Sequence, residues 1–137
     1  MIQAILLLNG HKMDVEYYTK ERVLKMKRVL FYAMTGEKMC FQHILMNGLD
    51  LALAGNEVKI IFEGASVKLV SVFEEENNPL YKKAKDANLI AGVCLACSKV
   101  LNVYEDNLKS GLTMLDDMSG HAGMKRYIDD GYDVISM

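Results

Sequence analysis

Between Arg28 and Val93 the chain carries three short apolar runs: RVLFYAM at Arg28–Met34, EVKIIF at Glu57–Phe62 and LIAGV at Leu89–Val93. They do not alternate apolar with polar residues. A strand with one face in water alternates, whereas a strand covered on both faces reads as a continuous apolar run. Between the runs the period becomes that of a helix. Phe41, Ile44, Leu45, Gly48, Leu49 and Ala52 share one helical face within Glu37–Ala54, and Gly55-Asn56 closes it. Further helices are read over Ala65 to about Phe73, over Pro79–Ala87 behind the Asn78-Pro79 start signal, and over Leu95–Leu101. Val103–Lys109 reads as helical in part. Gly111–Leu115 is a further strand candidate, Ser119 an N-cap candidate for a helix over Gly120–Asp130, and Tyr132–Ser136 a last strand. Alternation of continuous strands with helices predicts the α/β class: a three-layer sandwich with a mainly parallel sheet flanked by helices on both faces.

At 137 residues the chain is about one domain long. Residues 26–137 hold the alternating pattern as a single α/β domain, and residues 1–25 stand apart as an N-terminal extension. In that extension Ile2–Leu8 reads as an extra strand and Asp14–Lys25 as a helix of mixed periodicity. Met26 directly precedes the first confident strand, which leaves two readings open. Translation starts naturally at Met26, or the first 25 residues pack on the domain.

Hydrophobic residues make up 51% and charged residues 25%, which excludes a disordered or fibrous chain. With a net charge of −2 there is no basic field to attract nucleic acid or an anionic membrane. The apolar start Ile2–Leu8 falls far short of the ~20 residues that span a bilayer. It also lacks the flanks of a signal peptide. Three cysteines are odd in number and too few for a disulfide scaffold, which points to a reducing, cytoplasmic setting. Neither GxGxxG nor a phosphate-binding GxxxxGK motif occurs, and no cofactor is expected.

In open parallel α/β sheets, ligands bind outside the carboxyl ends of the strands. The sequence places Thr35, Gly36, Met39 and Cys40 after the first strand of the domain, and Glu63 and Gly64 after the second. Cys94 and Cys97 follow the third, and Asp116, Asp117, Ser119 and His121 the fourth. All three cysteines and one histidine are thereby expected on one rim. Cys94 stands where a strand hands over to a helix, a position whose free amides favour thiolate over thiol. Cys97 follows one helical turn later, in reach for a resolving role. The plainer reading makes both of them small buried hydrophobes. Cys40 and His43 form C-x-x-H in the first helix, and with Cys94-x-x-Cys97 they make a nominal four-ligand zinc set. The two pairs sit on separate elements with no evident ligand loop, so no metal is assigned, and Cys40 reads as packed beside Phe41. Glu63 is a candidate acid, base or helix cap. His121, in the first turn of the last helix, is a candidate proton carrier.

Four segments together resemble the DsrE/DsrF-like family, which includes sulfur-relay TusD-type subunits and YchN-like proteins. They are MKRVLFYAM, NEVKIIFEGASVKLV, NPLYKKAKDANLIAGVCLACSKVLNV and the closing DDMSGHAGMKRYIDDGYDVISM, and they cover about four fifths of the chain. The resemblance implies a small α/β sandwich assembled into homo-oligomers, trimers or hexamers. It also implies a sulfur donor and a sulfur acceptor protein as partners. It makes Cys94 the residue that takes sulfur as a persulfide, in a sulfurtransferase-like relay, and Cys97 the second cysteine of C-x-x-C. TusD-type subunits typically lack that second cysteine. Cys40, Glu63, Gly64 and His121 complete the expected site. The alternatives are a dithiol redox protein using Cys94 and Cys97, and a non-catalytic oligomeric module holding a small ligand or a metal.

Overall fold

The computed structural model describes residues 5–8, 11–14 and 26–137. Ile5–Leu8 (β1) and His11–Asp14 (β2) pair antiparallel as a two-stranded sheet of their own. The strand expected over Ile2–Leu8 is present as Ile5–Leu8. The helix expected over Asp14–Lys25 yields Asp14 to β2, and its remaining residues lie outside the described ones.

The main sheet contains five parallel strands: Arg28–Ala33 (β3), Glu57–Phe62 (β4), Ile90–Cys94 (β5), Met114–Leu115 (β6) and Asp133–Ser136 (β7). Their order across the sheet is β6-β5-β4-β3-β7. Consecutive residues Val29–Ala33 of β3 are all buried, which requires cover on both faces. Helices flank the sheet and supply it: Lys38–Leu53 (α1), Leu69–Glu75 (α2), Pro79–Asp86 (α3), Leu95–Val100 (α4), Tyr104–Lys109 (α5) and Lys125–Asp129 (α6). A 3-10 turn over Gly64–Lys68 leads into α2. The expected α/β sandwich is the observed one.

α1 buries Phe41, Ile44, Leu45 and Gly48, and packs on β3, β4 and α3. A Cβ on Gly48 would stand 3.2 Å from Ile60 Cδ1, so glycine lets helix and strand approach closely. Phe41 stacks on Phe62 with ring centroids 4.3 Å apart, and Phe73 and Tyr81 extend the aromatic cluster. Asn78 caps α3 by accepting from the amides of Leu80 and Tyr81 at 3.1 Å each, with Pro79 at the first helical position. Among the described residues no helix is long and apolar enough to cross a membrane.

Two local expectations are corrected. The helix expected from Gly120 starts only at Lys125, and Ser119 caps nothing: its backbone is left-handed, with φ 50°. Met118 and His121 instead exchange backbone hydrogen bonds in an isolated bridge, at 2.8 and 2.9 Å. His121 therefore lies on a turn ahead of α6 and not in its first turn. Cys40 is exposed and not packed beside Phe41. Adjacent helical residues point about 100° apart, so the burial of Phe41 leaves Cys40 facing water.

Candidate functional site

The carboxyl ends of β4 and β5 lie side by side, and each turns sharply into helix. At the end of β4, Glu63 caps the 3-10 turn by accepting from the Gly64 amide at 3.1 Å. Gly64 has φ 54°, a left-handed conformation that suits glycine, and a Cβ there would stand 2.9 Å from Met34 Cε. At the end of β5, Cys94 is the N-cap of α4, and its Sγ accepts from the Cys97 amide at 3.4 Å. Below it the Ser98 hydroxyl donates to the Cys94 carbonyl at 2.7 Å. The Asn107 side-chain amide donates to Ser98 and to the Val67 carbonyl, both at 3.0 Å. This buried polar chain fixes α4 against α5 and the 3-10 turn.

The loop after β6 closes the site from above. The Ala96 amide donates to the Gly120 carbonyl at 2.9 Å, and the Ala122 amide donates to Glu63 Oε2 at 3.1 Å. The Tyr32 hydroxyl donates to the Ala122 carbonyl at 2.7 Å. His121 is held over the thiols as a result. Its Nδ1 lies 3.4 Å from Cys94 Sγ, from Cys97 Sγ and from Glu63 Oε1. The Cys97 thiol donates to Glu63 Oε1 at 2.8 Å. Glu63, Cys94, Cys97 and His121 thus present four donor atoms within 4.8 Å of one another.

The electrostatics follow from this packing. Burial alone would push the Glu63 carboxyl up. Hydrogen bonds from Cys97, Cys94 and the amides of Gly64 and Ala122 outweigh burial and hold it below the usual carboxylate range. The carboxylate in turn disfavours negative sulfur beside it. Burial, then Glu63, push the Cys97 thiol up to about 12. Burial also raises Cys94, and there the Cys97 amide works in the opposite direction, favouring its thiolate. Tyr32 is pushed up to about 12 by burial and by the Glu63 charge. Cys94 is fully buried and Cys97 partly exposed.

Four of the expected site residues, Glu63, Cys94, Cys97 and His121, come together, and Gly64 shapes the turn beside them. Cys40 and His43 do not join: both are exposed on α1, and the nominal zinc set with Cys94 and Cys97 does not form. The cysteines do not share one cluster. Tyr32, Ser98 and Asn107 were not legible as site residues. Tyr32 carried a usable signal, because a tyrosine in an otherwise apolar buried run needs a partner for its hydroxyl.

Set against known proteins, the chain is 38% identical over 98 residues to an uncharacterised protein of Methanocaldococcus jannaschii. The match covers 69% of this chain and 78% of that protein. The chain belongs to that protein's family. No family model matches the chain, and no solved structure matches it. The relative brings no activity with it, so function is argued from the chemistry of the four side chains.

Proposed function

We propose that the protein is a sulfur carrier that holds sulfur as a persulfide on Cys94, as the resemblance to DsrE/DsrF-like proteins implies. The observation that carries this reading is the difference between the two thiols. Cys94 Sγ accepts a backbone N–H at the start of a helix, whereas the Cys97 thiol donates to Glu63. Both thiols are raised by burial, and at Cys94 the Cys97 amide offsets part of that rise, which makes Cys94 the nucleophile in this reading and Cys97 the thiol held in reserve.

In the loading step the Cys94 thiol gives its proton to His121, and imidazole is a proton carrier near neutral pH. The sulfur attacks the outer sulfur of a donor persulfide. A new S–S bond forms on Cys94, the donor's own S–S bond breaks, and the donor leaves as a thiol carrying the proton. No net oxidation occurs. An acceptor thiolate removes the outer sulfur by the reverse exchange. Alternatively Cys97 attacks the inner sulfur, releasing sulfide and leaving a Cys94–Cys97 disulfide that an external dithiol must reduce. Cys94 is itself buried, and Cys97 and His121 are the two partly exposed members of the site.

The reading includes assembly into a homo-oligomer, partner donor and acceptor proteins, and a reducing cytoplasmic setting. Sulfide release from the donor-loaded, chelator-treated protein tests it. Cys97→Ser is expected to slow release and lengthen the life of the persulfide. Cys94→Ser is expected to abolish loading at this site. Loading that survives Cys94→Ser overturns the assignment.

A further inference from the structure

We propose that Glu63, Cys94, Cys97 and His121 form a closed tetrahedral site for a zinc-class divalent metal. This goes beyond the sulfur-carrier reading and does not rest on it. Around a tetrahedral zinc bound by sulfur, nitrogen and oxygen, neighbouring donor atoms lie about 3.3–3.8 Å apart. Here Cys94 Sγ to His121 Nδ1, Cys97 Sγ to His121 Nδ1 and His121 Nδ1 to Glu63 Oε1 are each 3.4 Å. Those three edges are already close to coordination length. Of the other three edges, Cys97 Sγ to Glu63 Oε1 is 2.8 Å because a thiol proton lies between them, and the two from Cys94 Sγ are within 4.8 Å. When that proton leaves, the edge opens by a small rotation of the partly exposed Cys97.

The Glu63 side chain is only 5% exposed, yet among the described residues no lysine or arginine pairs with it, and His121 Nδ1 stands 3.4 Å away. A buried carboxylate beside two ionisable sulfurs, with no basic side chain to balance its charge, offers a cation a place to bind. Two thiolates select a soft or borderline metal over magnesium or calcium. The outer contacts that orient metal ligands are also present. The amides of Gly64 and Ala122 hold the two Glu63 oxygens, and the Cys97 amide holds Cys94 Sγ. Three ligands sit on the ends of packed elements. His121, 42% exposed, closes the fourth position and is the side from which a metal enters.

Binding is an exchange: the metal joins both sulfurs and two thiol protons go to solvent. Apparent affinity therefore rises by up to about a hundredfold per pH unit below the thiol ionisation range. The same thiols cannot hold a metal and take sulfur at once, so metal occupancy blocks persulfide loading.

The test is a titration of the full, reduced, chelator-stripped chain with cobalt(II), displaced afterwards by zinc. The expected result is a thiolate-to-cobalt charge-transfer band with tetrahedral visible bands, saturating at one equivalent and bleached by zinc. His121→Ala is expected to keep the circular dichroism of the fold and weaken binding at least about tenfold. Cys40→Ser and His43→Ala, both outside the cluster, are expected to leave the titration unchanged. A folded protein with no charge-transfer band overturns the proposal. So does an unaltered titration in Cys94→Ser and Cys97→Ser, or one that depends on Cys40 and His43. Persulfide loading is run with chelator present, so a failed sulfur carrier leaves the cobalt result standing, and the converse holds.

Discussion

At the scale of single residues, Glu63 governs the site. Its carboxylate accepts from Cys97 and from two backbone amides, and it adds to the rise that burial imposes on both thiols. The thiolate is the reactive form. Alkylation of Cys94 and Cys97 should therefore be slow near neutral pH and climb as pH rises toward the thiol range, while exposed Cys40 is modified first. Glu63→Gln removes the carboxylate's share of that rise and leaves the larger share, from burial, in place. It should speed their alkylation at neutral pH by up to about tenfold, measured by site-resolved mass spectrometry. An unchanged rate would mean that the carboxylate does not control the thiols. Glu63 also links the site to acid stability. Its carboxyl titrates below its ordinary range in the fold, so its charge stabilises the protein above that range. The contribution is lost as pH falls through the lowered value.

At the scale of elements, the site depends on the junctions at the ends of β4 and β5 and on the loop after β6. β6 is only Met114–Leu115, paired to β5 through Val93–Met114 and Cys94–Leu115. Gly92 makes that pairing possible. A Cβ there would stand 2.4 Å from the Thr113 carbonyl oxygen and 2.7 Å from Leu115 Cγ. Gly92→Ala is expected to cost about 1–3 kcal/mol, as overpacking does, read as a lowered urea midpoint. It should also loosen His121 over the thiols. Stability equal to the parent would show that the strands can separate without cost. The same loop explains a failure of sequence reading. Ser119 followed by a helix-like stretch looks like a cap. The amides of Ala122 and Gly123 are instead bonded to the side chains of Glu63 and Asp117, at 3.1 and 2.9 Å. An amide occupied by a side chain as remote as Glu63 is invisible to local propensity, and so is the helix start it displaces.

At the scale of the whole molecule, β3 and β4 were legible because their buried residues run on consecutively, over Val29–Ala33 and Ile60–Phe62, and β5 because Leu89–Val93 is apolar throughout. The α1 face was legible by its period, from Phe41 to Gly48. The rim could be named, since Glu63, Cys94, Cys97 and His121 all follow strand ends. Which of its members meet could not be read, because spacing along one helix does not say where that helix packs. Cys40-x-x-His43 has metal-like spacing yet lies on the exposed side of α1, and a buried carboxylate from β4 takes part in its place. The edge strand β7 leaves Ile135 and the following Met137 more than two-fifths exposed, apolar surface that association between copies would cover. Light scattering is expected to give a mass three or six times that of the chain, and a monomer at micromolar concentration would contradict the oligomer reading.

Where sulfur is found after loading decides whether Cys94 is the carrier. The full, reduced chain, treated with chelator and a persulfide donor and then digested, should show a gain of one sulfur atom on the peptide carrying Cys94, lost in Cys94→Ser. No gain there, or a gain confined to the Cys40 peptide, would contradict it.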